Sequence, residues 1–175
     1  MLIAYITMAL GVAPLASSSP AARSFVPVHA SAPEECAILQ AAYAAAIGKN
    51  GFFYPVDVRS SPRRLEDLTT FRLDYRAQMA MSAQEFDELA AHQGSHDVSD
   101  FRPDCHWTGT PGPSKDDEGH PIFITFTRPL FSQDRHLALA EVSFREQGRF
   151  AYGVLCTVRL TQGTWSAQCL RSWIV

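Results

Sequence analysis

The chain has 175 residues, enough for one domain and too few for two ordinary ones. Apolar residues make up 46% and charged residues 19%, a globular rather than a disordered composition. The net charge is -3 and the Lys and Arg residues are scattered, which excludes the concentrated basic stripe of a nucleic-acid surface and argues against binding to anionic membranes.

Residues 1–32 read as a signal peptide and leader, and residues 33–175 as a single α+β domain. Met1 to Ala16 is apolar and uncharged, and the small-residue run Ser17 to Ala22 follows it. Ala16 and Ser18 suit cleavage after Ser18, and Ala30-Ser31-Ala32 is a second candidate. The first basic residue is Arg23, whereas a signal peptide normally opens with Lys or Arg. The expected location is the periplasm or the exterior. Four cysteines, Cys36, Cys105, Cys156 and Cys169, contain no CxxC pair and fit an oxidising space, where three disulfide pairings are open.

Ser31 to Glu34 has capping-box spacing, and the Ala-rich run from it to Ile47 predicts a helix stopped by Gly48. Cys36, Leu39, Tyr43 and Ile47 share one face. Phe52 to Val58 is a short extended piece restricted by Pro55 to an edge or a loop. Phe71 to Met81 alternates apolar with polar and is assigned as a strand, although Phe71, Tyr75 and Met79 also fit a helix. Ser82 and Glu85 cap a second helix with Phe86, Leu89 and Ala90 on its apolar face and Gly94 at its end. Asp97 to His120 is a long loop.

The last third alternates strongly. Pro121–Thr127, His136–Phe144, Phe150–Leu160 and Trp165–Val175 predict a four-stranded antiparallel meander packed against one or two helices. A two-residue turn at Gln162-Gly163 pairs Leu160 with Trp165, Cys156 with Cys169 and Tyr152 with Trp173. A turn around Glu146 to Gly148 pairs Phe144 with Phe150 and Val142 with Tyr152. The register argues for Cys156–Cys169 and so leaves Cys36–Cys105; Cys36 faces the same sheet, so its capture of either strand cysteine, Cys156 or Cys169, is the competing pairing.

Phe126-Thr127-Arg128-Pro129-Leu130-Phe131, Leu137 to Ala140, Gly153, Gly163-Thr164-Trp165 and Trp173-Ile174 resemble an uncharacterised group of bacterial exported proteins. The likeness covers about the last third, and Arg145 to Gly153 lacks the cysteines that group carries there. It implies an exported meander and no activity. A helix curled against such a sheet also resembles the cystatin and nuclear-transport-factor-2 folds.

Two constellations are candidates for chemistry. Arg171, flanked by Tyr152 and Trp173, projects toward the apolar sheet face opposite Val154. A guanidinium there must meet a carboxylate, reach water in a cavity or be turned out by a bulge. In the second case it suits a small anionic ligand. His92, His96, His106 and His120 are the alternative, a zinc- or His-dependent hydrolase built on residues 92–120. Gly94 interrupts the i, i+4 pair His92/His96, and no Glu follows His92, so the reading favours no metal, no cofactor and no catalytic residue. The residues thus point to an exported ligand-binding or protein-interaction module rather than an enzyme. Its partner is a small anionic ligand or a protein, with no nucleic acid and no stable membrane insertion once the leader is gone. Expressed into a bacterial periplasm, the protein is expected to show an intact mass lacking residues 1–16; a mass retaining them refutes the leader.

Overall fold

The structure, a computed structural model, describes residues 32–95, 98–146 and 150–175. The leader, the Ser31 cap and the turn residues 147–149 lie outside the described residues. Helix α1 (Ala32–Ala46) buries Ile38, Leu39, Ala42 and Tyr43. Strands β1 (Phe53–Tyr54) and β2 (Thr110–Pro111) pair parallel to each other, away from the main sheet. Next come the single-turn helix α2 (Leu73–Arg76) and helix α3 (Ala83–His92). The main sheet contains β3 (Ile122–Phe126), β4 (Leu130–Phe131), β5 (Leu137–Glu146), β6 (Ala151–Thr161) and β7 (Thr164–Ile174). It is an antiparallel meander of order β3-β5-β6-β7, and β4 shares with β3 the same edge of β5. The chain is therefore α+β, as the alternation predicts.

Both faces of β5 are covered. Its even positions Ala138, Ala140, Val142 and Phe144 meet α1, together with Cys156 and Val158 of β6. Its odd positions Leu137 and Leu139 meet Leu68, Met79, Phe86 and Leu89 from the opposite side. Only α1 covers the face expected to receive both helices; α3 lies across the sheet from it. Leu137 and Leu139, at odd positions of β5, are apolar too, and they need a layer of their own.

Residues 71–81 do not form a strand. Arg76 donates to the carbonyls of Phe71, Leu68 and Thr69, which ties α2 back onto the 3-10 turn before it, and its guanidinium lies 4.4 Å over the Phe86 ring. Phe71, extended and outside α2, touches Tyr75 edge to face at 5.2 Å. The Ser82/Glu85 capping box forms as predicted. The extended piece near Pro55 supplies β1 and then an isolated parallel bridge from Val58 to Ile124 at the β3 edge.

The hairpin at Gln162-Gly163 has φ of 51° and 78°, the positive pair that a type I′ turn requires. Its register holds from Thr161↔Thr164 to Val154↔Arg171 and then shifts by one residue, so Gly153 faces Trp173 and Tyr152 faces Ile174. The β5–β6 hairpin pairs Phe144 with Tyr152 and Val142 with Val154, two residues from the expected register. Phe150 is 38% exposed and precedes the strand, which starts at Ala151. A slip of two preserves the face of every side chain.

Glu85 links the second layer to the sheet. It accepts from the Ser82 backbone N–H, and Arg159 on β6 grips its carboxylate at 2.9 Å on both oxygens while also donating to Ala80. The Arg159 guanidinium and then the Ser82 N–H lower the Glu85 pKa from 4.5 to about 2. The folded value lies below the unfolded one, so this contribution is full above pH 4.5 and is lost as pH falls toward 2. Solvent screening leaves it at roughly 1 kcal/mol. Urea midpoints measured across that range should fall in the native protein; Glu85→Gln should be less stable near neutrality and lack this acid component.

Candidate functional site

The four cysteines close two disulfides, Cys36–Cys105 and Cys156–Cys169, and leave no free thiol. Both match the expected pairs. Cys156 and Cys169 face each other across β6 and β7 with Cα atoms 4.0 Å apart. The other bridge joins the start of α1 to the loop between α3 and β3 across 69 residues. Gln40 reinforces it by donating to the Thr108 carbonyl at 2.5 Å.

A groove of about 1040 Å³ opens along this scaffold. One wall is α1, where Ala37, Ala41, Ala44 and Ala45 present methyl groups only. The other is the run Gly163 to Cys169, whose consecutive residues belong to both faces of the sheet. What lines the groove there is therefore the edge of β7 rather than one side of it. Lys49, Asp104 and His106 are the ionisable groups of the lining. The alanines explain the opening: a helix without long side chains on this stripe cannot fill the space beside the sheet.

The proposed trio Arg171, Tyr152 and Trp173 does not converge. Arg171 and Tyr152 stay on the α1 side, where Tyr152 stacks on Phe144 at 4.9 Å and Arg171 is exposed at the end of the sheet. The bulge beyond Arg171 turns Trp173 to the other face. Its indole lies flat on Gly153, where an added Cβ would sit 2.1 Å from Nε1. None of the three lines the groove, or a smaller cleft of about 600 Å³ near Tyr54 and Trp107.

On that second face sits a polar cluster that the sequence reading missed. Glu141 of β5 is 2% exposed. Its carboxylate accepts from Ser172 Oγ at 2.5 Å, Trp173 Nε1 at 2.7 Å and Ser143 Oγ at 3.3 Å, with Arg63 Nε at 3.6 Å. Thr127 fastens its backbone, accepting from the Glu141 N–H at 2.9 Å and donating to its carbonyl at 3.0 Å. Arg63 covers the Trp173 ring at 4.4 Å. Burial, and after it the nearby Glu141 carboxylate, pushes the Tyr75 hydroxyl up to about 12. The available signal is parity: Glu141 alternates with Leu139 and Leu137, so it lies on the face opposite Ala140 and Val142.

The histidines separate. His92 ends α3, His106 lines the groove and His120 closes the turn before β3, while His96 lies outside the described residues. His92, His106 and His120 form no group with ligand atoms within 4.8 Å of one another. Among the described residues the group that does is Asp116, Glu118 and His120. There Asp116 accepts from the Glu118 and His120 backbone N–H groups and meets the His120 ring at 3.0 Å, so it is used as a turn-closing side chain.

No family model, curated protein or solved structure matches this chain. Among the described residues no helix is long and apolar enough to cross a membrane.

The two bridges should differ in worth. Closing about 70 residues restrains the unfolded chain by about 4 kcal/mol in the loop-entropy model, against about 3 for the short hairpin loop. The Cys36→Ser/Cys105→Ser double variant should therefore lose more stability in urea than Cys156→Ser/Cys169→Ser. It should also become sensitive to limited proteolysis between residues 98 and 120; an uncut loop counts against the bridge as its anchor.

Proposed function

We propose that the chain is an exported, periplasmic or secreted, binding module whose ligand occupies the groove between α1 and the β7 edge. The groove is the observation that carries this reading: it is large and open, its floor and walls are mainly apolar, and disulfide cysteines stand on both walls, Cys36 on α1 and Cys169 on β7. Export rests on the leader sequence, on the pairing of all four cysteines and on the likeness of the last third to exported bacterial proteins. Binding is favoured over hydrolysis because the lining is mainly alanine side chains and strand edge, with Lys49, Asp104 and His106 as its ionisable groups.

Amide chemical-shift mapping with a mixture of small apolar solutes tests the site. Perturbations should concentrate on residues 37–45 and 163–169 and vanish in Ala37→Trp, which fills the groove. Perturbations centred instead on Tyr152 and Arg171 would restore the anionic-ligand reading and refute this one.

A further inference from the structure

We propose that the occupant of the groove is an extended, largely uncharged polypeptide segment of a partner protein, which adds to the main sheet as a strand beside β7. This rests on the groove being the ligand site and specifies what enters it.

Three observations support a strand. The first is hydrogen-bonding capacity. In an antiparallel hairpin closed by a two-residue turn, Thr161↔Thr164 is a hydrogen-bonded pair, and the pairs then alternate. Trp165, Ala167 and Cys169 fall at the other pairs, so their N–H and C=O groups point away from β6 and toward the groove. No other strand pairs with that edge among the described residues. The second is the lack of edge protection. From Thr164 to Leu170 the strand has no Lys, no Pro and no charge, the devices that usually blunt a free edge. Protection begins where the groove ends, with Arg171 and the bulge after it. The third is size and charge. Seven residues, Gly163 to Cys169, extend about 23 Å, so a volume of 1040 Å³ corresponds to a cross-section of about 45 Å². One strand, at about 4.8 by 10 Å, has that cross-section. That is room for one extended segment, and a peptide brings no further strands or covering layers that would have to clear α1. The lining carries a single cation and a single carboxylate, Lys49 and Asp104, which matches a segment without clustered charge.

Main-chain pairing would supply affinity, and every second side chain of the segment would lie over the alanines of α1, the arrangement of other strand-addition grooves. Random octapeptides displayed on phage, selected on the oxidised protein and resynthesised with a fluorescent label, provide the probe. We expect peptides with alternating apolar residues whose anisotropy-measured affinity falls at least tenfold in Ala167→Pro. That substitution removes an outward N–H while sparing the ladder to β6, so both disulfides and the circular dichroism should be unchanged. N-methylation of alternate peptide residues tests the pairing without altering the protein: one parity should abolish binding and the other should not.

Binding lost in Ala37→Trp but indifferent to Ala167→Pro and to N-methylation would overturn strand addition while leaving the groove as the site. Failure to enrich any peptide above the Ala37→Trp control would also overturn it. Self-association in sedimentation that Ala167→Pro abolishes would assign the edge to a second copy and refute the peptide.

Discussion

Strand β5 is buried on both faces over eight successive residues, Leu137 to Phe144, and the layering follows from that. A strand with two covered faces must sit inside a sheet, with β3 and β4 along one edge and β6 along the other. It also needs a cover on each side. The side-chain sizes decide which cover goes where. Ala138 and Ala140 let α1 approach the sheet closely, whereas Leu137 and Leu139 reach toward the looser layer of residues 65–90. α1 makes its own approach through Ala42, and the same alanine-rich composition leaves the groove open along Ala37, Ala41, Ala44 and Ala45. Close packing and the empty space are two results of one composition.

Glu141 is the exception on β5 and organises the far end of the sheet. An isolated buried carboxylate would cost several kcal/mol, so its partners have to be present. Ser172 and Trp173 can both reach it because the bulge places adjacent residues of β7 toward the same carboxylate. In a regular strand they would point to opposite faces. The indole then needs a flat surface, and Gly153, without a side chain, provides it, while Arg63 closes the outer face. Bulge, glycine and carboxylate are thus mutually dependent. They also shift the pairing of β7 by one residue after Arg171, so the regular stretch of its edge is the one beside α1.

This arrangement separates what the sequence can express from what it cannot. Alternation and turn chemistry are local, so the meander, the capping box of α3 and the Gln162-Gly163 hairpin were legible, and with the hairpin the Cys156–Cys169 pair. Trp173 was placed on the wrong face because a bulge changes parity without leaving a mark in the alternation; the glycine opposite it was the trace. Residues 71–81 misled because both periods were present, and the decision fell to a long side chain, Arg76, capturing three carbonyls. The histidines between residues 92 and 120 are neighbours only along the chain. The groove was illegible for a further reason: it consists of side chains that are missing, on elements more than a hundred residues apart.

The disulfides bear on binding as well as on stability. A ligand that orders a loose site loses affinity to the entropy of that ordering, and a site already fixed avoids most of the loss. Here Cys36 ties the α1 wall to the 98–120 loop, and Cys169 ties the β7 wall to the central strands. Each bridge therefore has one cysteine in the lining of the same groove. Two constraints that an oxidising compartment makes available hold the two walls, and the alanine stripe keeps the space between them clear. In a reducing compartment the β7 wall would retain its ladder to β6, but the loop beside α1 would depend on single hydrogen bonds such as Gln40 to Thr108 and on the short β1–β2 pairing. Oxidation therefore matters more to the loop side of the site than to its strand side, which couples the shape of the groove to the redox state of its surroundings.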